Sequence, residues 1–279
     1  MKNIPPLLVE RALARAGAGR MIGMLILVGC SLLSGCATDN ALLGSGTSNT
    51  VSDQTRMTES GFLTDYARLR VTPWGSGIEC WRDPGLEAAK YDKVLVSRIF
   101  VSIEPSGDKK IEQLVDPKDL ATLTDYFHNA LVKALKPQMQ VVDQPGAGVV
   151  VMRIALTHLV PTTVAESVAG TLIPYAFVVE AGSGAATGRP VGSTPYMGET
   201  GMEMQFRDGV SGKVLAECRD TEIGRKYAAD VNSGAVGAAQ TWANGYLSSF
   251  QAWSYARNAF DKWSQLVGQR MAQLRGVNP

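Results

Sequence analysis

Val149-Val-Val-Met-Arg-Ile-Ala-Leu-Thr-His-Leu-Val160 is the stretch on which the fold is read. Val150, Met152, Ile154 and Leu156 fall at every second position on one face, and Arg153 and Thr157 fall on the other. That alternation predicts a strand with one buried face and one polar face. His158 continues the buried face and is expected to be a hydrogen-bonded structural residue at the strand's end. Downstream, Thr200 to Asp208 alternates in the same way and turns Met202, Met204 and Phe206 inward. Asp208-Gly-Val-Ser-Gly212 is a turn signal, and Lys213 to Asp220 returns with Val214, Ala216 and Cys218 on one face, so the pair reads as a hairpin.

Upstream, Lys93 to Val101 is a short β-branched strand candidate. Asp116-Pro117 opens a helix, with Asp as N-cap and Pro at the first helical position. Leu120, Leu123, Phe127, Ala130, Leu131 and Ala134 form its apolar face, and Pro137 ends it. Gln140-Val-Val is a short strand. A last helix is expected over Gln251 to Leu274, burying Trp253, Ala256, Phe260, Trp263, Val267, Met271 and Leu274. Residues 60–81 are broken by Pro73, Gly75 and Gly77 and read as a strap across the core. The order strand, helix, short strand, long strand, hairpin, helix predicts an α+β fold: a mostly antiparallel sheet with two helices packed on one face.

The N-terminal 35 residues follow other rules. Arg11, Arg15 and Arg20 make a basic leader, and Met21 to Leu33 is an apolar run of thirteen residues. A bilayer-spanning helix needs about 20. Leu33-Ser-Gly-Cys36 matches a lipobox, in which the thiol is the nucleophile that accepts a diacylglyceryl group. Cys30, inside the apolar run, leaves with the signal. The expected organisation is a lipoprotein signal peptide over 1–35, a flexible tether over 36–58 and a single periplasmic domain over 59–279. Ala37, not Asp, follows the cysteine, and by its resemblance to lipoproteins of enterobacterial type this start implies the outer membrane, facing the periplasm, as the expected site.

Removing residues 1–35 leaves 23 basic and 25 acidic residues, a net charge of −2. A nucleic-acid partner calls for a strongly basic face, so that class is set aside. Cys80 and Cys218 are an even pair in an oxidising compartment and are a disulfide candidate, with two separate buried thiols as the alternative.

Candidates for chemistry are few. His128 flanks the core face of the first helix. There is no G-x-S-x-G elbow and no His/Cys/Asp cluster at metal spacing. Gly182-Ser-Gly-Ala-Ala-Thr-Gly188 lacks the Gly-Lys-Ser/Thr ending of a phosphate loop and reads as a flexible loop. Trp242 and Tyr246 precede the last helix and are candidates for a partner surface. The charge-poor, Gly-rich segment 161–198 reads as a packed hairpin or as a contact with a subunit or membrane. No catalytic residue, metal or cofactor is expected. The expected function is a non-enzymatic binding or scaffolding lipoprotein, held to the membrane through Cys36 and meeting other envelope proteins. Two alternatives stay open: an oligomeric, pore-associated component using 161–198, and a cell-wall or glycan hydrolase using Asp65, Asp92 or Asp125.

Several segments resemble one family. They are Ser60-Gly-Phe-Leu-Thr-Asp-Tyr-Ala-Arg-Leu69, Tyr91-Asp-Lys-Val-Leu-Val96, Asp116-Pro-Lys-Asp-Leu120, Tyr126-Phe-His-Asn-Ala-Leu131, Asp208-Gly-Val-Ser-Gly-Lys-Val-Leu-Ala216 and Ala259-Phe-Asp-Lys-Trp263. Together they resemble the proteobacterial lipoproteins catalogued as domain of unknown function 3313. The resemblance implies a lipid-anchored envelope protein and brings no catalytic or binding residues. Cys80 and Cys218 lie outside its pattern.

Overall fold

The structure is a computed structural model that describes residues 49–75, 77–102, 115–164, 186–190, 193–194, 197–225, 247 and 251–276. Cys36, Trp242, Tyr246 and most of 161–198 lie outside the described residues. Among the described residues nine strands form one mixed sheet: β1 (Thr50–Ser52), β2 (Arg70–Val71), β3 (Glu79–Arg82), β4 (Lys93–Val96), β5 (Phe100–Val101), β6 (Gln140–Val141), β7 (Val149–Val160), β8 (Glu199–Asp208) and β9 (Val214–Gly224). Their order is β2-β3-β9-β8-β7-β4-β6; β1 also pairs with β9, and β5 with β7. The long strands β7, β8 and β9 are antiparallel neighbours, whereas β4 and β5 run parallel to β7.

Two helices, α1 (Pro117–Leu135) and α2 (Ser254–Leu274), cover one face. Asp116 caps α1 by accepting a hydrogen bond from the Lys118 N–H at 2.7 Å, and Pro117 takes the position where no N–H is needed. Leu123, Phe127, Leu131 and Leu135 are fully buried at every fourth position. α2 starts three residues later than the sequence suggests: Trp253 is its N-cap, and the indole donates to Asp119 at 2.9 Å. The two helices meet through Phe127 and Phe260, stacked at 4.5 Å, beside Trp263. They can close only because residue 268 is glycine; a Cβ there would lie 2.8 Å from the Ala134 carbonyl oxygen.

Four expectations are corrected. Residues 79–82 are not part of an irregular strap but a strand on β9, pairing Glu79 with Arg219 and Arg82 with Ala216. The stretch 93–101 is two strands, β4 and β5, both on β7. The folded body reaches past the expected boundary at 59, since Thr50–Ser52 pair with Glu222–Gly224. Finally, a β-bulge between Leu156 and His158 inserts Thr157 as an extra residue and turns His158 to the other face, opposite Gly201.

Cys80 and Cys218 face each other across β3 and β9 and are joined by a disulfide, with Cα atoms 4.1 Å apart. The bridge closes a loop of 138 residues. Restricting the unfolded chain over such a loop stabilises the fold by about 5 kcal/mol in the chain-entropy account. Urea denaturation of Cys80→Ser/Cys218→Ser against the parent is expected to show a loss of several kcal/mol, and equal midpoints would refute this account.

Candidate functional site

The alternation of the central strands divides the sheet into two surfaces. On the face away from the helices, β8 and β9 present Glu203, Gln205 and Glu217, all completely buried. Buried carboxylates require hydrogen-bond partners, and the segment 59–68 supplies them. Glu203 accepts from the Ser60 N–H at 2.9 Å, the Ser60 hydroxyl at 2.8 Å and the Tyr66 phenol at 2.8 Å. Glu217 accepts from the Thr64 N–H at 2.8 Å, from Gln205 Nε2 at 2.6 Å and from Arg68 Nη2 at 2.5 Å. Arg219 bonds Glu79 Oε2 at 2.8 Å, and Arg68 lies 3.5 Å over the Trp81 ring. This face is a latch that fixes the strap, with Glu203 and Glu217 each hydrogen-bonded by strap residues.

At the end of β8, Glu199 takes Arg56 at 3.2 Å, Arg189, and His158 Nε2 at 3.2 Å. Burial pushes this carboxyl up, but the His158 hydrogen bond and the two guanidiniums outweigh it and hold it below its ordinary range. His158 is thus a partly buried, hydrogen-bonded residue of the polar face.

The helix-facing side holds a second ionic cluster. Asp220 accepts from Trp263 Nε1 at 2.7 Å and from the Ser52 hydroxyl at 2.5 Å, and Lys262 bonds Glu222 at 2.6 Å. Burial, then the charge of Glu222, pushes Asp220 up to about 7.

The same side encloses a cavity of about 250 Å³. Met202, Met204 and Phe206 of β8 form its floor; Trp263, Val267 and Met271 of α2 form its roof. Trp74, Ile78 and the disulfide close one side, and Leu86 and Tyr91 another. Arg82, Arg270 and Arg275 also line it. The titratable wall residues are these three arginines and Tyr91. The Tyr91 phenol donates to Asp208 at 3.0 Å and is pushed up to about 12, first by burial and then by that hydrogen bond.

The three carboxylates that the sequence offers for hydrolysis are not brought together. Asp65 caps the 3-10 turn Tyr66–Arg68, Asp92 lies beside Lys93, and Asp125 sits on α1; all three are exposed. Among the described residues no His/Cys/Asp/Glu group has metal-holding geometry, and no helix is long and apolar enough to cross a membrane. The cavity is not foreseen from the sequence, because its walls read as ordinary core. One signal is present: Arg270 falls three residues after Val267 and seven after Trp263, on the apolar stripe of α2.

A protein-family model described as "Protein of unknown function (DUF3313)" matches residues 58–250. No curated protein matches the chain. Among solved structures, a variant of the PelC dodecamer from Paraburkholderia phytofirmans is 16% identical; the match covers 63% of this chain and 96% of that one, with a TM-score of 0.30. A second PelC dodecamer from the same organism is 13% identical over 63% of this chain and 98% of that one, with a TM-score of 0.29. Likeness at this level carries no argument about assembly or ligand.

The Asp220 cluster predicts a pH dependence. The ordinary value of this carboxyl is 3.8. In the window between that value and about 7 the native protein holds a proton that the unfolded chain has released. Stability therefore falls as pH rises through the window. Asp220→Asn is expected to flatten the fall, as read from urea midpoints across this range; an unchanged slope would show that Asp220 does not cause it.

Proposed function

This chain belongs to the DUF3313 family of proteins of unknown function, and we propose that it is a lipid-anchored protein of the bacterial envelope, held at the outer membrane on the periplasmic side, whose folded body is a non-enzymatic binding module. The anchor reading rests on Leu33-Ser-Gly-Cys36 behind a basic leader and a short apolar run. The observation that carries the binding reading is the cavity of about 250 Å³ between β8 and α2. Its floor and roof are apolar, which suits an apolar ligand. Among the described residues its lining includes no carboxylate, no histidine and no free thiol. Such a wall favours holding a ligand over transforming it.

The scattering of Asp65, Asp92 and Asp125 withdraws support from glycan hydrolysis. The oligomeric reading depends on 161–198, most of which lies outside the described residues.

The anchor is tested by labelling cells with radioactive palmitate. The parent protein is expected to take up label and to fractionate with the outer membrane. Cys36→Ser is expected to lose the label and to fall about ten-fold or more in the membrane fraction, because no acyl chain then holds it. Equal labelling of the variant, or none of the parent, would overturn the anchor reading.

A further inference from the structure

We propose that the cavity beneath the sheet is a binding site for an anionic amphiphile, with an acyl chain between β8 and α2 and its negatively charged head against Arg82, Arg270 and Arg275. This deepens the binding reading above and rests on it.

The charges at the site are one-sided. Three arginines line the cavity and no acidic residue does, among the described residues. Arg270 bonds the amide of Gln273, at 3.1 Å, and lies 5.3 Å from the Trp74 ring centre. Arg275 donates to the Gln138 carbonyl oxygen. Arg82 is exposed and makes no ion pair with a described residue. Its sequence neighbour Asp83 is engaged by Lys213. Burial and the charge of Arg82 both work against the Arg270 guanidinium. Elsewhere in this protein some arginines are answered by carboxylates, Arg68 by Glu217, Arg219 by Glu79 and Arg189 by Glu199, while Arg70, Arg153 and Arg207 bond carbonyl or amide oxygens instead. The cavity arginines are set apart by sharing one apolar-walled cavity whose described lining holds no acidic residue, and an incoming carboxylate or phosphate supplies a countercharge in a form that guanidinium donors match well.

Behind the arginines the walls turn apolar: Met202, Met204, Phe206, Trp263, Val267 and Met271. The thioethers adapt to a flexible chain. A cavity of 250 Å³ holds about eight groups of water size, at about 30 Å³ each. That is an acyl segment of roughly eight methylenes, a length suited to a fatty acid or to one arm of a phospholipid. The chains expected on Cys36 are joined through a neutral glyceryl thioether and leave the arginines unanswered.

Calorimetric titration of the folded, anchor-free protein with laurate and with dodecanol separates chain from head. Laurate is expected to bind at least about ten-fold more tightly, as one well-made charge-assisted contact supplies. Raising the salt concentration is expected to weaken laurate and leave dodecanol unchanged. In the series from hexanoate to laurate, each methylene that enters the cavity adds about four-fold until the cavity is full. Arg82→Gln/Arg270→Gln is expected to erase the preference for laurate while still binding dodecanol. Leu86→Trp, at the cavity wall, is expected to weaken both ligands; circular dichroism checks that each variant folds.

Equal binding of laurate and dodecanol would overturn the anionic head and leave the binding reading intact. Binding of neither would overturn both. Sedimentation with phosphatidylglycerol vesicles, with and without laurate as competitor, separates the sources. Competition means that a membrane lipid fills the same site, and vesicle binding that laurate does not displace, with no laurate heat, would overturn the proposal.

Discussion

A β-strand must send successive side chains to opposite sides, and β8 is paired on both edges, with β7 and with β9. Once Met202, Met204 and Phe206 point toward the helices, Glu203 and Gln205 are committed to the other side. Both sides are then closed, one by α1 and α2 and the other by the strap. A strand buried on both faces is ordinarily apolar throughout. Here one face carries carboxylates, so the strap must be polar where it lands. Ser60, Thr64, Tyr66 and Arg68 meet that requirement residue by residue. Losing any one of them leaves a buried charge short of a partner, which is costlier than losing a surface contact.

Much of this architecture was legible from local chemistry. The Asp116-Pro117 start of α1, its stop at Pro137, the alternation in β7 and the β8–β9 hairpin all carry their signals within a few residues. What escaped notice depends on pairing between distant segments. β3 has only four residues and follows a Pro- and Gly-rich run, so its strand character comes from β9 rather than from its own pattern. β4 and β5 lie parallel to β7, a choice set by the crossover through α1. The bulge at Thr157 is one added residue in an otherwise regular alternation, and it sends His158 to the face opposite the one its spacing implies.

The cavity was illegible for a different reason. A methionine that lines a cavity and one that fills a core look alike in a sequence, because the distinction lies in volume left over after packing. Only the cations betrayed it, and Arg270 did so by its place on the stripe of α2. The disulfide stood between these cases. The parity of the two cysteines suggested a pair, while their direct opposition across β3 and β9 is a property of the fold.

That disulfide also divides the chain mechanically. A pull at the N-terminal end first unzips β1, then strips the strap from its carboxylates, and then reaches Cys80. There the load passes through a covalent bond into β9, an inner strand of the sheet. Peeling therefore stops after the segment from Asn49 to Cys80, about 100 Å of slack at 3.3 Å per residue. Trp74 and Ile78, one side of the cavity, lie ahead of that stop, whereas its floor on β8 and its roof on α2 lie behind it. Tension would uncover the cavity from the side and leave the fold that frames it standing.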